Sequence, residues 1–517
     1  MKPDEELLEE IASKRHALHL HRAWRAGESR IYTLLRKAAE FRAKEIDSGI
    51  QSDVPWETLF ELLIQWHHAL PLGDGECDEE AAFEVLVIAL EFSRWEQIEH
   101  SVRVGAYQVR RRGRELRVRH SWDPAREAAD MYLEARSRPK ELPPFSEMER
   151  KWASTRAVES RQGPPMEVLR ASAERAMVSI DAWRSASPEG YLPDSFDLGS
   201  GLTVGVAAAL LAGVMGLADL CELAARSATR LETTLAHLTR QELVNALSNL
   251  YPEVPTSRID DLLERLTYRV GRSARTAPLV AYGDKIILNP PLITSRAVDV
   301  IALRTAAHDA SRFGRVGQNL GKRAKAWETW LASIPGVEAR SNVRVRRGDG
   351  KPAGDLDVIA VDAENGLGLC LEVKWPVDAV TRREVEKVET LVTSAADQLG
   401  RVRDELQSGT AVATLPAGWP QLSELDMTWG VGTPQQLCLR PVSVQGICAT
   451  SLRYLLEAGD PPSLRSVVEL LKHPDLPTRN LHFYEEAFSL RLGHREIIVD
   501  RIGLRQFGWR PRFPNLR

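Results

Sequence analysis

The chain has 517 residues, more than one hydrophobic core usually organises, so about two to four domains are expected. Hydrophobic residues at 43% and charged residues at 27% are ordinary globular usage, which excludes a collagen-like, coiled-coil or largely disordered chain. Lys and Arg number 68 against 72 Asp and Glu, so the whole carries no nucleic-acid signature and any basic surface must be local.

Five cysteines lie far apart with no CxxC pair, which argues against disulfides and zinc and fits a reducing compartment. Met1-Lys-Pro-Asp-Glu-Glu runs straight into a charged amphipathic pattern, without the apolar stretch of a secretory signal, and predicts a cytoplasmic protein. From Glu5 to about Arg136 apolar positions recur at helical spacing, as in Leu59, Leu62, Leu63 and Trp66. Val104 to Ser121 breaks that pattern. It reads as a basic hairpin turning near Gly113, one that touches phosphates or is simply solvated.

Pro139, Pro143 and Pro144 mark a break, as does the Pro/Gly/Ser cluster from Ser185 to Ser200. Leu198 to Ala218 is apolar enough to suggest a membrane span, but Asp197 and Asp219 bracket it and no basic flank anchors it. A packed core helix is expected, with no membrane association. Helices resume from Leu231 to Tyr268. Pro278 to Leu288 then alternates around Gly283-Asp284, a hairpin of winged-helix style that binds DNA or packs domains together. The expected division is a helical domain with the basic hairpin over 1–190, a helical, winged-helix-like domain over 191–305, a catalytic domain over 306–460 and an appendage over 461–517.

The stretch that carries chemistry is Gly354-Asp-Leu-Asp-Val-Ile-Ala-Val-Asp362, Ala-Glu-Asn-Gly366 and Leu367-Gly-Leu-Cys-Leu-Glu-Val-Lys-Trp375. Asn365-Gly366 between two apolar runs predicts adjacent antiparallel strands. Period two then places Asp355, Asp357 and Ile359 on one side of the first strand, and Cys370, Glu372 and Lys374 on one side of the second. Leu369, Leu371 and Val373 point the other way, into a core. Two acids and a lysine converging in this way suit phosphodiester hydrolysis. Carboxylates hold a divalent metal that acidifies bound water, and a lysine orients the water or balances charge on the phosphate. A sheet-edge salt bridge at Lys374 is the structural alternative.

Gly354-x-x-Asp357 followed by Glu372-Val-Lys374 resembles the PD-(D/E)XK nuclease superfamily, over about Gly314 to Thr450. The resemblance implies an α+β multidomain protein in which a helix-rich N-terminal region precedes a restriction-endonuclease-like domain with an αβββαβ core. It also implies Mg²⁺ or Mn²⁺ held by Asp357, Glu372 and the Val373 carbonyl, with Lys374 catalytic. The family's proline is missing before the acid, which leaves Asp355 a rival to Asp357.

Upstream, Ala324, Trp327, Leu331 and Ile334 form an apolar helical stripe with Glu328 at its edge. A glutamate on the superfamily's first helix often assists metal binding, which makes Glu328 a candidate, as against a surface charge. Downstream, Thr381-Arg-Arg-Glu384 starts a helix towards Leu406. Its Gln398 and Arg401 share a face and resemble the glutamine-bearing helix of several family branches, or are merely solvated. Between Ser311 and Lys351 ten basic residues face three acidic ones, an excess of seven. Lys322, Arg323, Lys325, Arg344 and Arg346 from that stretch, with Arg401, are the expected phosphate contacts. The expected function is a DNA-cleaving, metal-dependent endonuclease, with RNA cleavage, DNA repair or an inactive binding module as alternatives. By analogy, the helical region suggests a sensor in bacterial antiviral defence, acting as a homo-oligomer or with a partner protein.

Overall fold

Apolar residues at helical spacing build helices Pro3–His19, Arg30–Asp47, Trp56–Ala69 and Glu79–Arg103. Period two takes over in β1 (Tyr107–Arg112) and β2 (Glu115–His120), which turn at Gly113 with φ +66°. Helices Pro124–Arg136, Glu147–Arg156, Met166–Ala186 and Val204–Ser227 follow, then β3 (His237–Thr239), helices Arg240–Leu250 and Thr256–Leu266, and the hairpin β4 (Val280–Tyr282) and β5 (Lys285–Ile287). Helix Ala324–Ala332 leads into β6 (Glu338–Arg347), β7 (Pro352–Asp362) and β8 (Leu367–Val373). After helix Arg382–Gln407 come β9 (Ala411–Ala413), β10 (Asp426–Thr433) and β11 (Ile447–Ser451). Helices Leu452–Glu457 and Leu464–Lys472 precede the final hairpin, β12 (Phe483–Leu492) and β13 (Arg495–Leu504). This computed structural model describes residues 2–48, 56–113, 115–136, 143–156, 164–186, 192–227, 237–293, 301–303, 306, 316–317, 324–376, 382–434, 437, 444–492, 495–505 and 508–514. The protein is mixed α+β, helix-rich towards its N-terminus, with several sheets.

The chain divides into two units rather than four consecutive blocks. One, the helical unit, comprises Leu8–Glu99 and Pro139–Val316; the other, the terminal unit, comprises Met1–Leu7, His100–Arg138 and Gly317–Arg517. The boundaries expected at 190, 305 and 460 are not those of the fold. Long-range pairing explains the difference: β2 runs parallel beside β13, with Val118 opposite Val499, so the early hairpin joins the last strands. The 461–517 segment is likewise no appendage, because Leu464, Val467, Leu470 and Leu471 share a core with Trp327 and Leu369.

In the helical unit, helix Val204–Ser227 is mostly buried. A Cβ on its Gly216 would lie 2.8 Å from the Ala173 nitrogen, so helices pack backbone to backbone there. One stretch of that helix, Val204–Ala224, is long and apolar enough to cross a membrane. The Arg30 side chain is fully buried. It donates to the carbonyls of Pro71, His67 and Leu70 at 2.7–2.8 Å and to His67 Nδ1 at 3.1 Å, the satisfaction a buried guanidinium requires. β3, β5 and β4 form an antiparallel sheet in that order, with helices Arg240–Leu250 and Thr256–Leu266 between β3 and β4 in the chain.

In the terminal unit, a six-stranded sheet of order β11-β10-β8-β7-β6-β9 carries a core on each face. Leu369, Leu371, Val358 and Ala360 pack with Trp327 and Leu331 on one side. Cys370, Ile359 and Val361 pack with Val388, Val392 and Leu399 of helix Arg382–Gln407 on the other. Each large apolar side chain so buried stabilises the fold by roughly 1.5–3 kcal/mol. The stripe Ala324, Trp327, Leu331 and Ile334 is buried as its periodicity predicts. The second sheet has the order β1-β2-β13-β12.

Candidate functional site

β7 and β8 are adjacent and antiparallel, joined by a four-residue loop in which Asp362 accepts the Asn365 N–H at 3.1 Å. Their ladder ends at Val358 opposite Leu371. Beyond that pair β8 stays beside β10: Val373 is level with Gly432, and the Lys374 N–H donates to the Gly432 carbonyl at 2.9 Å. Asp357 fills the place of the missing ladder bond, its Oδ2 accepting the Val373 N–H at 2.8 Å. Lys374 Nζ donates to Glu372 Oε1 at 2.6 Å. Asp357, Glu372 and Lys374 are therefore brought together, as the period-two reading of the sequence requires.

Glu372 is buried and Asp357 half-buried. Burial pushes the Asp357 carboxyl above its ordinary range, with the Val373 N–H and Lys374 pulling the other way. Burial also raises Glu372, and the charge of Asp357 raises it further, against the pull of Lys374. Like charges held together out of water resist ionisation unless a cation joins them.

Asp355 does not share the Asp357 side as alternation alone predicts. Ala339 and Ser341 of β6 face helix Ala324–Ala332, whereas Val343 and Val345 belong to the core under helix Arg382–Gln407. On β7 the same reversal separates Val358 and Ala360 from Leu356. Its pivot is Asn342, at φ +58°, which the register places across from Asp357. Irregular strand positions of this kind re-aim side chains beside functional sites. Asp355 is left exposed, opposite Arg344, and reaches the two carboxylates only through its charge.

Glu328 is buried but is engaged elsewhere: it accepts the Ser341 N–H at 3.0 Å, the Ser341 hydroxyl and the Lys325 ammonium. Burial alone would raise its carboxyl, yet the Lys325 and Ser341 bonds hold it below the usual range. Among the described residues its hydrogen bonds and ion pair go to Lys325 and Ser341, not to Asp357 or Glu372. Gln398 and Arg401 lie exposed on helix Arg382–Gln407, because the stripe Val388, Val392, Ala395, Leu399 and Val402 turns them to solvent. Lys322 and Arg323 lie outside the described residues. Arg346 closes its own turn by donating to the Gly350 carbonyl at 3.1 Å. Arg344 and Arg401 are exposed and form no ion pair among the described residues. Ser341 and Asn342 went unnoticed in the sequence, and only an asparagine inside a strand run hinted at the second.

Among the described residues no three His, Cys, Asp or Glu side chains converge as a metal cluster, so a cation here would rest on two carboxylates and main-chain oxygen. Two carboxyls that burial raises, with the charge of Asp357 raising Glu372 further, suit that donor set, as hard oxygen ligands do for Mg²⁺ or Mn²⁺. In the helical unit, the helix Thr256–Leu266 carries Asp260 and Glu264 bound by Arg240, and Asp261 bound by Arg265. Of that helix's two arginines Arg265 is thus paired, while Arg258 is half-buried and forms no ion pair among the described residues. No protein-family model, no curated protein and no solved structure matches this chain.

Proposed function

We propose that the terminal unit is a metal-dependent nuclease with a restriction-endonuclease-like core, and that it hydrolyses DNA phosphodiesters. The observation that carries this reading is the Asp357–Glu372 pair. Two carboxylates on adjacent strands, one buried and one half-buried, are held with the charge of Asp357 raising Glu372, and Lys374 is bonded to Glu372. The element order supports it as well: helix Ala324–Ala332, β6, β7, β8 and helix Arg382–Gln407 follow the order expected of that core, with the short β9 added before β10.

Asp357, Glu372 and the Val373 carbonyl would hold Mg²⁺ or Mn²⁺. Once bound, the ion supplies a more acidic water and charge neutralisation at the phosphate. Glu372 fixes the position of the Lys374 ammonium, which donates hydrogen bonds to the attacking water or to a phosphate oxygen as negative charge develops there. The Val373 N–H fixes the Asp357 carboxylate, so the acid does not reorganise during reaction.

The test is cleavage of supercoiled plasmid, linear duplex and single-stranded DNA with Mg²⁺ or Mn²⁺, comparing wild type with Asp357→Ala and Lys374→Ala. Cutting that needs the metal and is abolished by both substitutions supports the reading. A wild-type protein that neither cuts DNA or RNA nor binds either ion refutes it.

A further inference from the structure

The basic hairpin remains outside that mechanism. In β1 and β2, Arg110 stands directly opposite Arg117, Gln108 opposite Arg119 and Arg112 opposite Glu115, so these residues project on one face of the sheet. Leu116 and Val118, on the other face, are buried. Like charges directly opposite each other destabilise a strand pair. The acid that answers them is Asp500 on β13, 3.0 Å from Arg117 and 3.4 Å from Arg119, one carboxylate for two guanidiniums. Arg110 and Arg112 are exposed and form no ion pair among the described residues. Arg111 faces the other way and is tied to Glu6, so this hairpin can neutralise an arginine where none is presented.

The base of the hairpin also packs on the long helix of the terminal unit. Ala106 and Trp122 at its base pack with Val385, at the start of the helix that follows Lys374 in the chain. We infer that this arginine face is a docking surface for the phosphate backbone of duplex DNA, with Arg110, Arg112, Arg117 and Arg119 as its contacts. The inference rests on the nuclease reading and adds to it a substrate-holding surface outside the carboxylate site. Guanidinium forks match phosphate oxygens, and such contacts carry affinity without sequence preference. Asp500 holds two of the forks in place, which reduces the ordering that binding demands.

The experiment measures binding of a fluorescent duplex to the full chain in EDTA, where nothing is cut, over a range of salt. Arg110→Ala/Arg112→Ala is compared with wild type and with a control, Arg170→Ala/Arg465→Ala, which removes exposed arginines elsewhere. The hairpin variant is expected to bind about tenfold more weakly near physiological salt. Its plot of log affinity against log salt should be shallower by about two, with the control unchanged. Unaltered affinity and slope in a folded hairpin variant overturn the docking surface, and so does an equal loss in the control. Tighter binding of an RNA duplex or an acidic peptide than of DNA overturns the choice of partner. Asp357→Ala, measured for binding in EDTA and for cleavage with Mg²⁺, separates the two claims: normal binding with cleavage lost leaves the nuclease reading intact whatever the hairpin does.

Discussion

The Asp357 carboxylate accepts the Val373 N–H at 2.8 Å, in the position where the ladder between β7 and β8 has stopped. An asparagine keeps an oxygen for that bond but loses the charge. Asp357→Asn is therefore expected to fold normally while losing cleavage by about a hundredfold or more, on the scale of removing one electrostatic element of an active site. Mg²⁺ or Mn²⁺ should raise the melting temperature of wild type and leave that of the variant unmoved, as a ligand binding only the native state requires. A variant that cuts at the wild-type rate would remove Asp357 from the mechanism.

The carboxylate pair also sets a pH dependence in metal-free protein. Both groups have folded-state pKa values raised above their ordinary ones, by burial first. The native state thus holds more protons than the unfolded state, and the pair's contribution to stability is lost as pH rises through and above the ordinary carboxylate range. Urea denaturation in EDTA should show this decline in wild type and a smaller one in Asp357→Asn. Equal slopes would mean that the repulsion is relieved in some other way.

Glu328 holds Ser341, the residue just before the reversal at Asn342. Glu328→Gln is expected to lower stability by roughly 1–3 kcal/mol, the cost of weakening a buried charged acceptor, and to leave the melting shift caused by Mg²⁺ unchanged. Thermal melts with and without the ion check both halves. Loss of the shift would restore Glu328 as a ligand.

A Cβ on Gly432 would lie 2.7 Å from Trp327 Cζ2, a ring that is fully buried. Because the Gly432 carbonyl accepts the Lys374 N–H, displacement of β10 also moves Lys374. Gly432→Ala should cost about 1–3 kcal/mol by overpacking and reduce cleavage in the surviving folded protein. Denaturation followed by tryptophan fluorescence, with activity assayed below the transition, reports the two effects separately.

In the helical unit, His67 accepts a bond from Arg30 through Nδ1, and burial, then His68 and Arg30, lowers its pKa to about 3. The unfolded state therefore takes up a proton near pH 6.5 that the native state refuses. Stability is present in full above that value and is lost as pH falls towards 3, by on the order of 4 kcal/mol across the window. His67→Gln, which can still accept from Arg30, should flatten that part of the profile. An unchanged profile would assign the acid sensitivity to other groups.

Much of this protein is written locally. Asn365-Gly366 between apolar runs announced the β7–β8 hairpin, the spacing of Trp327 and Leu331 announced the helix beneath it, and alternation put Glu372 and Lys374 opposite the leucines. The stripe from Val388 to Val402 was equally readable, and applied strictly it would have turned Gln398 outward. These features depend on residues a few positions apart, where backbone geometry repeats regularly.

Tertiary structure decided what depends on distant partners. It exposed Asp355 and kept Asp357 by reversing two strands at Asn342, a left-handed residue that breaks the alternation on which the sequence reading relied. It bound Glu328 to Ser341 rather than to the carboxylates. It also brought Val118 beside Val499, making one unit from the two ends of the chain. Parallel pairing over such a separation has no local turn to signal it, because its stability comes from the shared core and ladder, and those exist only once the chain has folded.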